Sequence, residues 1–375
     1  MKPPAHHIFQ FTPDSLTEWC AERSMPAFRA KQILEWVYEK GASGPDEMSN
    51  LSKLDRETLA REMVFESGAT VAQQDGSDGT RKILVEWNEY GSGAGEGAPR
   101  QSLPVLGQCG DTSRQTECVM IPAVSPEGRA RQTACISSQV GCPVGCKFCA
   151  SGLGGLDGNL SGGRIVEQAW RLGRLPSGRI SNIVFMGMGE PLANFAAVKH
   201  AIEVLSAPWG MGISGRKITV STVGLPKAIE KLAREIDTPV TLALSLHAPT
   251  DNLRRELIPW SSYTTISELT AACDVWFQKT GREITLEYTL MGGVNDSVEQ
   301  AQRLAAITRR MRANVNLIRY NEVDGLPFKR PENGDVRKFQ DVLREKGVSV
   351  HIRASRGRDI AAACGQLRHE KAGTA

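Results

Sequence analysis

From about Thr133 onward the chain alternates between two kinds of segment, and no other feature restricts its fold as much. Apolar, β-rich runs occur at "TACISS", "SNIVFM", "KITVST", "VTLALSL", "EITLEYTL", "NVNLIRY" and "VSVHIRA". Helical stretches lie between them, such as "GRIVEQAWRLGRL", "FAAVKHAIEVLS", "LPKAIEKLAREI" and "SVEQAQRLAAITRRM". Such alternation implies a parallel sheet, because parallel neighbours need a crossover to bring the chain back. Six or seven units suit a barrel or partial barrel, although a doubly wound open sheet satisfies the same pattern. The polar motifs favour the barrel. "GCPVGCKFC" follows the first strand and "GMGEP" the second, Ser221 ends the third and "SLH" the fourth, "GGVND" follows the fifth, Asn321 the sixth and Cys364 the last. Chemistry collected at the C-terminal ends of successive parallel strands is how (β/α) barrels build their sites.

The preceding residues read differently. "AFRAKQILEWVYEKG" puts Ala30, Ile33, Leu34 and Val37 on one helical face and stops at Gly41; "LSKLDRETLAREM" predicts another helix opening near Ser52. The first seventy or so residues are therefore expected to be helical. "TRKILVEW" has strand composition, and the Gly-, Ser- and Pro-rich stretch after it is expected to be a surface insertion in which Cys109 is incidental. The expected division is a helical accessory domain over 1–75, a short strand and linker over 76–112, and the barrel with a C-terminal cysteine segment over 113–375.

The nine cysteines are an odd number in a chain of 375 residues, which argues against a disulfide scaffold and for thiols used as ligands or reactive groups. The N-terminus has no apolar signal-peptide core and no window approaches ~18 uninterrupted apolar residues. A cytoplasmic, non-membrane protein is expected. The formal charge of +3 says little about partners, but seven basic residues against two acidic ones in 303–330, and "HIRASRGRDI" at 351–360, suggest an RNA-facing surface.

Cys142, Cys146 and Cys149 stand in "GCPVGCKFCASG" with C-x3-C-x2-C spacing. A closed structural zinc or iron–sulfur site wants four protein ligands. Three thiolates on a [4Fe–4S] cubane leave one iron open to a small molecule, the mark of a catalytic centre. A zinc site completed by a distant His or Cys is the alternative.

This spacing, with Phe148 before the last cysteine, resembles the radical S-adenosylmethionine (SAM) superfamily, in which the open iron chelates SAM and an electron cleaves it to a 5′-deoxyadenosyl radical. "GMGEP" looks like that superfamily's SAM-binding element. "ACISSQVGCPVGCKFCASG", "MGMGEPLAN", "VSTVGLP", "SLHAP" and "RGRDIAAACGQL" together resemble the RlmN/Cfr family of radical-SAM RNA methyltransferases, most closely the adenine-C2 branch, and "FRAKQILEWVYEKG" resembles its helical accessory domain. The resemblance implies a partial (β/α)6 TIM-like radical-SAM barrel that methylates C2 of adenosine 2503 in 23S rRNA and adenosine 37 of some tRNAs. It implies two SAM per turnover, Cys364 as methyl carrier, Cys135 as resolving thiol, Glu117 as base, and a Cys135–Cys364 disulfide after each cycle. Gly189, Glu190, Ser221, Ser245, Leu246, His247 and Asn321 match the family's SAM-contacting positions. It further implies an electron donor such as flavodoxin, a disulfide reductant and a monomer. Cys20, Cys118 and Cys273 are expected to be structural. The alternatives are a Cfr-like methylation of C8 of the same rRNA adenosine and a non-catalytic iron–sulfur RNA-binding protein.

Overall fold

The computed structural model describes residues 1–90, 114–124, 128, 130–176 and 178–367. The expected insertion at 91–110, with Cys109, lies outside these residues. The chain opens with three helices. α1 (Pro13–Glu22) starts at Thr12, whose side chain forms a capping box with Ser15. α2 (Phe28–Tyr38) buries Ala30, Ile33, Leu34 and Val37, the face its periodicity marks. α3 (Lys53–Glu62) is capped by Ser52.

The helical reading of the first seventy residues runs too far. After α3 the chain turns into β1 (Gly68–Asp75), which pairs antiparallel with β2 (Arg81–Trp87). Seven of the eight β1 residues are exposed, so its sequence carries no alternating apolar signal; pairing with β2 makes it a strand. β2 then pairs antiparallel with β3 (Gln115–Val124), and β3 with β4 (Ala130–Cys135).

From β4 the sheet becomes parallel. A separate hairpin, β5 (Gln139–Gly141) and β6 (Leu156–Asn159), follows, with the three-cysteine loop between its strands. The chain continues through α4 (Gly162–Gly173), β7 (Asn182–Phe185), α5 (Phe195–Ser206), β8 (Ile218–Thr222), α6 (Pro226–Glu235) and β9 (Thr241–Ser245). α7 (Asp251–Leu257), α8 (Ile266–Thr280), β10 (Ile284–Leu290), α9 (Val298–Met311), β11 (Ala313–Arg319), α10 (Asn333–Glu345) and β12 (Val350–Arg353) complete it. The main sheet runs β1-β2-β3-β4-β7-β8-β9-β10-β11-β12, so seven parallel strands joined by six crossovers carry three antiparallel strands on one edge. α4, α5, α6, α8, α9 and α10 cover the outside: α4 packs on α5, α6 on α8, α8 on α9 and α9 on α10, and Lys199 of α5 pairs with Glu235 of α6. This is the expected open (β/α)6 barrel.

One buried core runs from α1–α3 into the barrel. The junction centres on Glu167 of α4, whose carboxylate accepts from the Ser67 N–H and hydroxyl at 3.0 and 2.6 Å and lies 3.1 Å from His7 Nε2. Burial by itself would raise this carboxyl, but the contacts from His7, Arg171 and Ser67 reverse the effect and bring it down to about 2. The segment after β12 crosses from that edge of the sheet to the β1–β2 hairpin: Gly357 N–H donates to Asp78 Oδ2 at 3.0 Å, and Ser77 N–H to Asp359 Oδ2 at 2.7 Å. It thus bridges the two edges of the open barrel across its mouth. Among the described residues no helix is long and apolar enough to cross a membrane.

Candidate active site

The three-cysteine loop is pinned at both ends. Cys142 N–H donates to the Gly155 carbonyl at 2.8 Å and Lys147 N–H to the Leu257 carbonyl at 3.0 Å, while Phe148 meets the His247 ring edge-on at 5.0 Å. Cys142, Cys146 and Cys149 all line one open cavity of about 910 Å³ at the C-terminal ends of the parallel strands. Burial pushes the Cys142 thiol up to about 12 and raises Cys146 and Cys149 as well. Three thiolates crowded there need a cationic partner, which cluster iron supplies. Among the described residues no set of three His, Cys, Asp or Glu converges on a single-ion site. A cubane asks for none, because each thiolate takes a different iron. Arg254 of α7 fits the same group: it is 1% exposed, its Nη2 donates to the Val223 carbonyl, and its Nε and Nη1 have no hydrogen-bond partner. That leaves a buried cation beside Cys146.

"GMGEP" crosses the turn after β4 so closely that only glycine fits. A Cβ on Gly189 would stand 2.7 Å from Gln139 Cβ, and φ there is +104°. A Cβ on Gly187 would stand 2.6 Å from Ser137 Oγ. Glu190 turns into the cavity and accepts from Val223 N–H at 2.7 Å and Leu192 N–H at 3.0 Å; burial raises its carboxyl to about 7. Ser221, Ser245 and His247 line the same cavity. His247 sits in a left-handed conformation, φ 55°, and its Nδ1 accepts the Thr289 N–H at 3.0 Å. Burial, then the charge of Arg254, lowers it to about 3, so the ring is neutral with its proton on Nε2. The buried Leu246 side chain lines neither this cavity nor the next; its N–H donates to the Glu287 carbonyl at 3.1 Å.

A second, smaller cavity adjoins the first and holds Cys135 and Asn321. Cys364, Arg353, Met186 and Ile318 line both. The Cys364 segment is tied to its surroundings through its main chain: Asn321 Nδ2 donates to the Cys364 carbonyl at 3.2 Å, Ala150 N–H to the Gly365 carbonyl at 2.8 Å, and Ser151 Oγ to the Leu367 carbonyl at 2.7 Å. Asn321 therefore touches the cysteine segment rather than lining the larger cavity. Burial, then the neighbouring Cys364, pushes the Cys135 thiol up to about 12. Glu117 lines neither cavity; it is buried on β3, next but one along the sheet face from Cys135 through the β3–β4 pairing of Val119 with Cys135.

Arg353 is not part of the basic surface expected over 351–358. It ends β12 inside the mouth, where Cys364 holds its proton more tightly against the effect of burial, with Glu287 and Cys135 adding to it. Glu287 faces the larger cavity with one carboxylate oxygen unpaired. Reading the sequence by motif passes over both; the available signal was a charged side chain inside the apolar strand runs "EITLEYTL" and "VSVHIRA".

Residues 136–305 match the radical SAM superfamily, and residues 6–65 match the ribosomal RNA large subunit methyltransferase N-terminal domain. A probable dual-specificity RNA methyltransferase RlmN of Rhodopirellula baltica is 41% identical over 98% of this chain and 92% of its own length. That of Salinibacter ruber is 42% identical over 95% and 92%. The chain belongs to the RlmN family. A crystal structure of a radical SAM methyltransferase from Sphaerobacter thermophilus superposes with a TM-score of 0.86 at 39% identity, covering 97% of this chain and all of that one. The RlmN-family chain is thus a radical-SAM methyltransferase, an enzyme class that works with a [4Fe–4S] cluster and SAM, and the cysteine loop and glycine cradle fit both groups.

Proposed function

We propose that this enzyme methylates C2 of an adenosine in 23S rRNA, and of an adenosine in tRNA, through a methyl group carried on Cys364. The observation that carries the reading is the position of Cys364 on both cavities, between the three-cysteine loop and the resolving thiol Cys135. C2 of adenine lies between two ring nitrogens and is too electron-poor to accept a methyl cation, so a radical route is required. When bound, the cluster and SAM supply a methyl group to the Cys364 sulfur and, from a second SAM, a radical that takes a hydrogen atom from that methyl.

The chain's own residues account for the remaining steps. Cys142, Cys146 and Cys149 would hold the cluster, and Gly189, Glu190, Ser221, Ser245 and His247, which line the same cavity, would surround SAM. The methylene on Cys364 bonds to C2 of an adenosine extruded into the mouth, and Glu117 takes the ring proton. Cys135 attacks the Cys364 sulfur and the S–CH2 bond breaks. The released carbon takes a proton and becomes the product methyl, the unpaired electron would return to the oxidised cluster that spent one electron on the second SAM, and a Cys135–Cys364 disulfide awaits its two-electron reductant. Arg353 lies where it stabilises the sulfur anion in both displacements. Basic side chains of 303–330 and Arg356 and Arg358 face the RNA phosphates, and an electron donor of the flavodoxin kind serves the cluster.

Mass spectrometry tests this on protein isolated with its cluster. The tryptic peptide 359–368, "DIAAACGQLR", is expected one methyl heavier, with the mass on Cys364. Nucleoside analysis of RNA incubated with the enzyme and SAM is expected to show 2-methyladenosine. Appearance of 8-methyladenosine would reassign the regiochemistry, and an unmodified Cys364 in a fully loaded enzyme would end the carrier reading.

A further inference from the structure

Lys82 is a lysine inside a strand whose other face is core. It is 9% exposed, and its ammonium turns toward β3 and the segment after β12. Register explains what it meets there. Leu84 is paired with Glu117 across β2–β3, so Lys82, two residues along, shares Glu117's face of the sheet as its diagonal neighbour. Its Nζ lies 2.7 Å from Glu117 Oε1, with both side chains 11% exposed. The same Nζ donates at 3.4 Å to the carbonyl of Ala361, three residues before Cys364. Ala361 is a non-glycine residue at φ 48°, a strained conformation that surrounding contacts must hold.

The turn preceding Lys82 supplies more of those contacts. Ser77 and Asp78 exchange hydrogen bonds with Asp359 and Gly357, and a Cβ on Gly357 would stand 2.7 Å from Thr80 Cγ2. The β1–β2 hairpin therefore holds the cysteine-bearing segment on one side while its lysine holds the Glu117 carboxylate on the other. Neither contact is needed to complete the sheet.

We propose that Lys82 is a positioning residue that fixes the Glu117 carboxylate relative to the segment carrying Cys364, so that the carbon attacked from Cys364 presents its proton to Glu117. The inference rests on the reading of Glu117 as base. It assigns Lys82 no part in loading Cys364 with methyl, which belongs to the larger cavity under that reading, since Lys82 lines neither cavity. Lys82 acts after the carbon–carbon bond forms and before the adduct resolves. Misplacing a base by about 1 Å commonly costs on the order of 100-fold.

Lys82→Met and Lys82→Arg are compared with the parent, each isolated with its cluster, in three readouts: methyl occupancy of peptide 359–368, the rate of 2-methyladenosine formation, and the amount of RNA covalently attached to protein. Lys82→Met is expected to carry methyl on Cys364 as the parent does, to form product roughly 10- to 100-fold more slowly, and to accumulate covalent adduct. Lys82→Arg, which keeps a cation within reach of both oxygens, is expected to recover most of the rate. The coupling is refuted if Lys82→Met turns over normally, if it slows without excess adduct, or if Cys364 methylation falls in step with product. Glu117→Gln run alongside separates the two ideas. Normal turnover there removes the base assignment itself; trapped adduct there but not in Lys82→Met removes only the role of Lys82.

Discussion

Cys364 and Cys135 are chemically alike and sit on one cavity wall, yet their substitutions are expected to part company. Cys364→Ala should abolish RNA methylation while leaving the visible absorbance of the cluster unchanged, because Cys364 is not among the three loop cysteines. Cys135→Ala should still accept methyl on Cys364 and should hold the RNA as a covalent adduct on a denaturing gel. If Cys135→Ala releases methylated RNA catalytically, another thiol resolves the adduct. Gly189 tests the cradle. Its backbone at φ +104° and the 2.7 Å separation from Gln139 make Gly189→Ala unfavourable by roughly 1–3 kcal/mol. The variant is expected to lose SAM binding, measured by calorimetry, by more than it loses in melting temperature, because the strain falls on the segment proposed to meet SAM.

At the scale of the element, α4 joins the accessory helices to the barrel. Trp170 Nε1 donates to the Val37 carbonyl at 2.9 Å, Gly163 N–H to Gln10 Oε1 at 2.9 Å, and Glu167 gathers His7, Ser67 and Arg171. The Glu167 carboxyl is lowered from 4.5 to about 2 in the fold. A lowered folded value means that stability is present above the unfolded value and lost as pH falls through the folded one. This group alone accounts for on the order of 3 kcal/mol lost between about pH 5 and pH 2. Urea unfolding across that range should show a steep loss for the parent and a flatter dependence for Glu167→Gln, with the two converging at the acid end. Parallel curves would mean that Glu167 is as acidic unfolded as folded.

Considered as a whole molecule, the accessory helices and the barrel share one continuous core, with Trp19, Ile33 and Leu34 in the same buried cluster as Ile183, Leu242 and Val315. Calorimetry is expected to show one unfolding transition, and removal of residues 1–65 is expected to give an insoluble protein, because it uncovers Trp170 and strips Glu167 of His7. Two resolved transitions would show that the barrel stands alone.

Local sequence determined much of this protein. Residue spacing is a property of the chain itself, so the strand–helix alternation, the Ser52 cap, the apolar face of α2, the C-x3-C-x2-C loop and the glycines of "GMGEP" are all legible before folding. The antiparallel edge was not, because β1 is exposed on nearly every residue and becomes a strand only by pairing. The placement of Lys82, Glu287 and Arg353 was not legible either. Each is an isolated charge in a strand, and sequence distance says nothing about its partner: Lys82 lies 35 residues from Glu117 and 279 from Ala361. Only closure of the sheet, with the segment after β12 carried back to the β1–β2 hairpin, brings such charges within hydrogen-bonding range. Side-chain chemistry is encoded residue by residue, whereas its pairing depends on strand register and barrel curvature, which exist only in the folded chain.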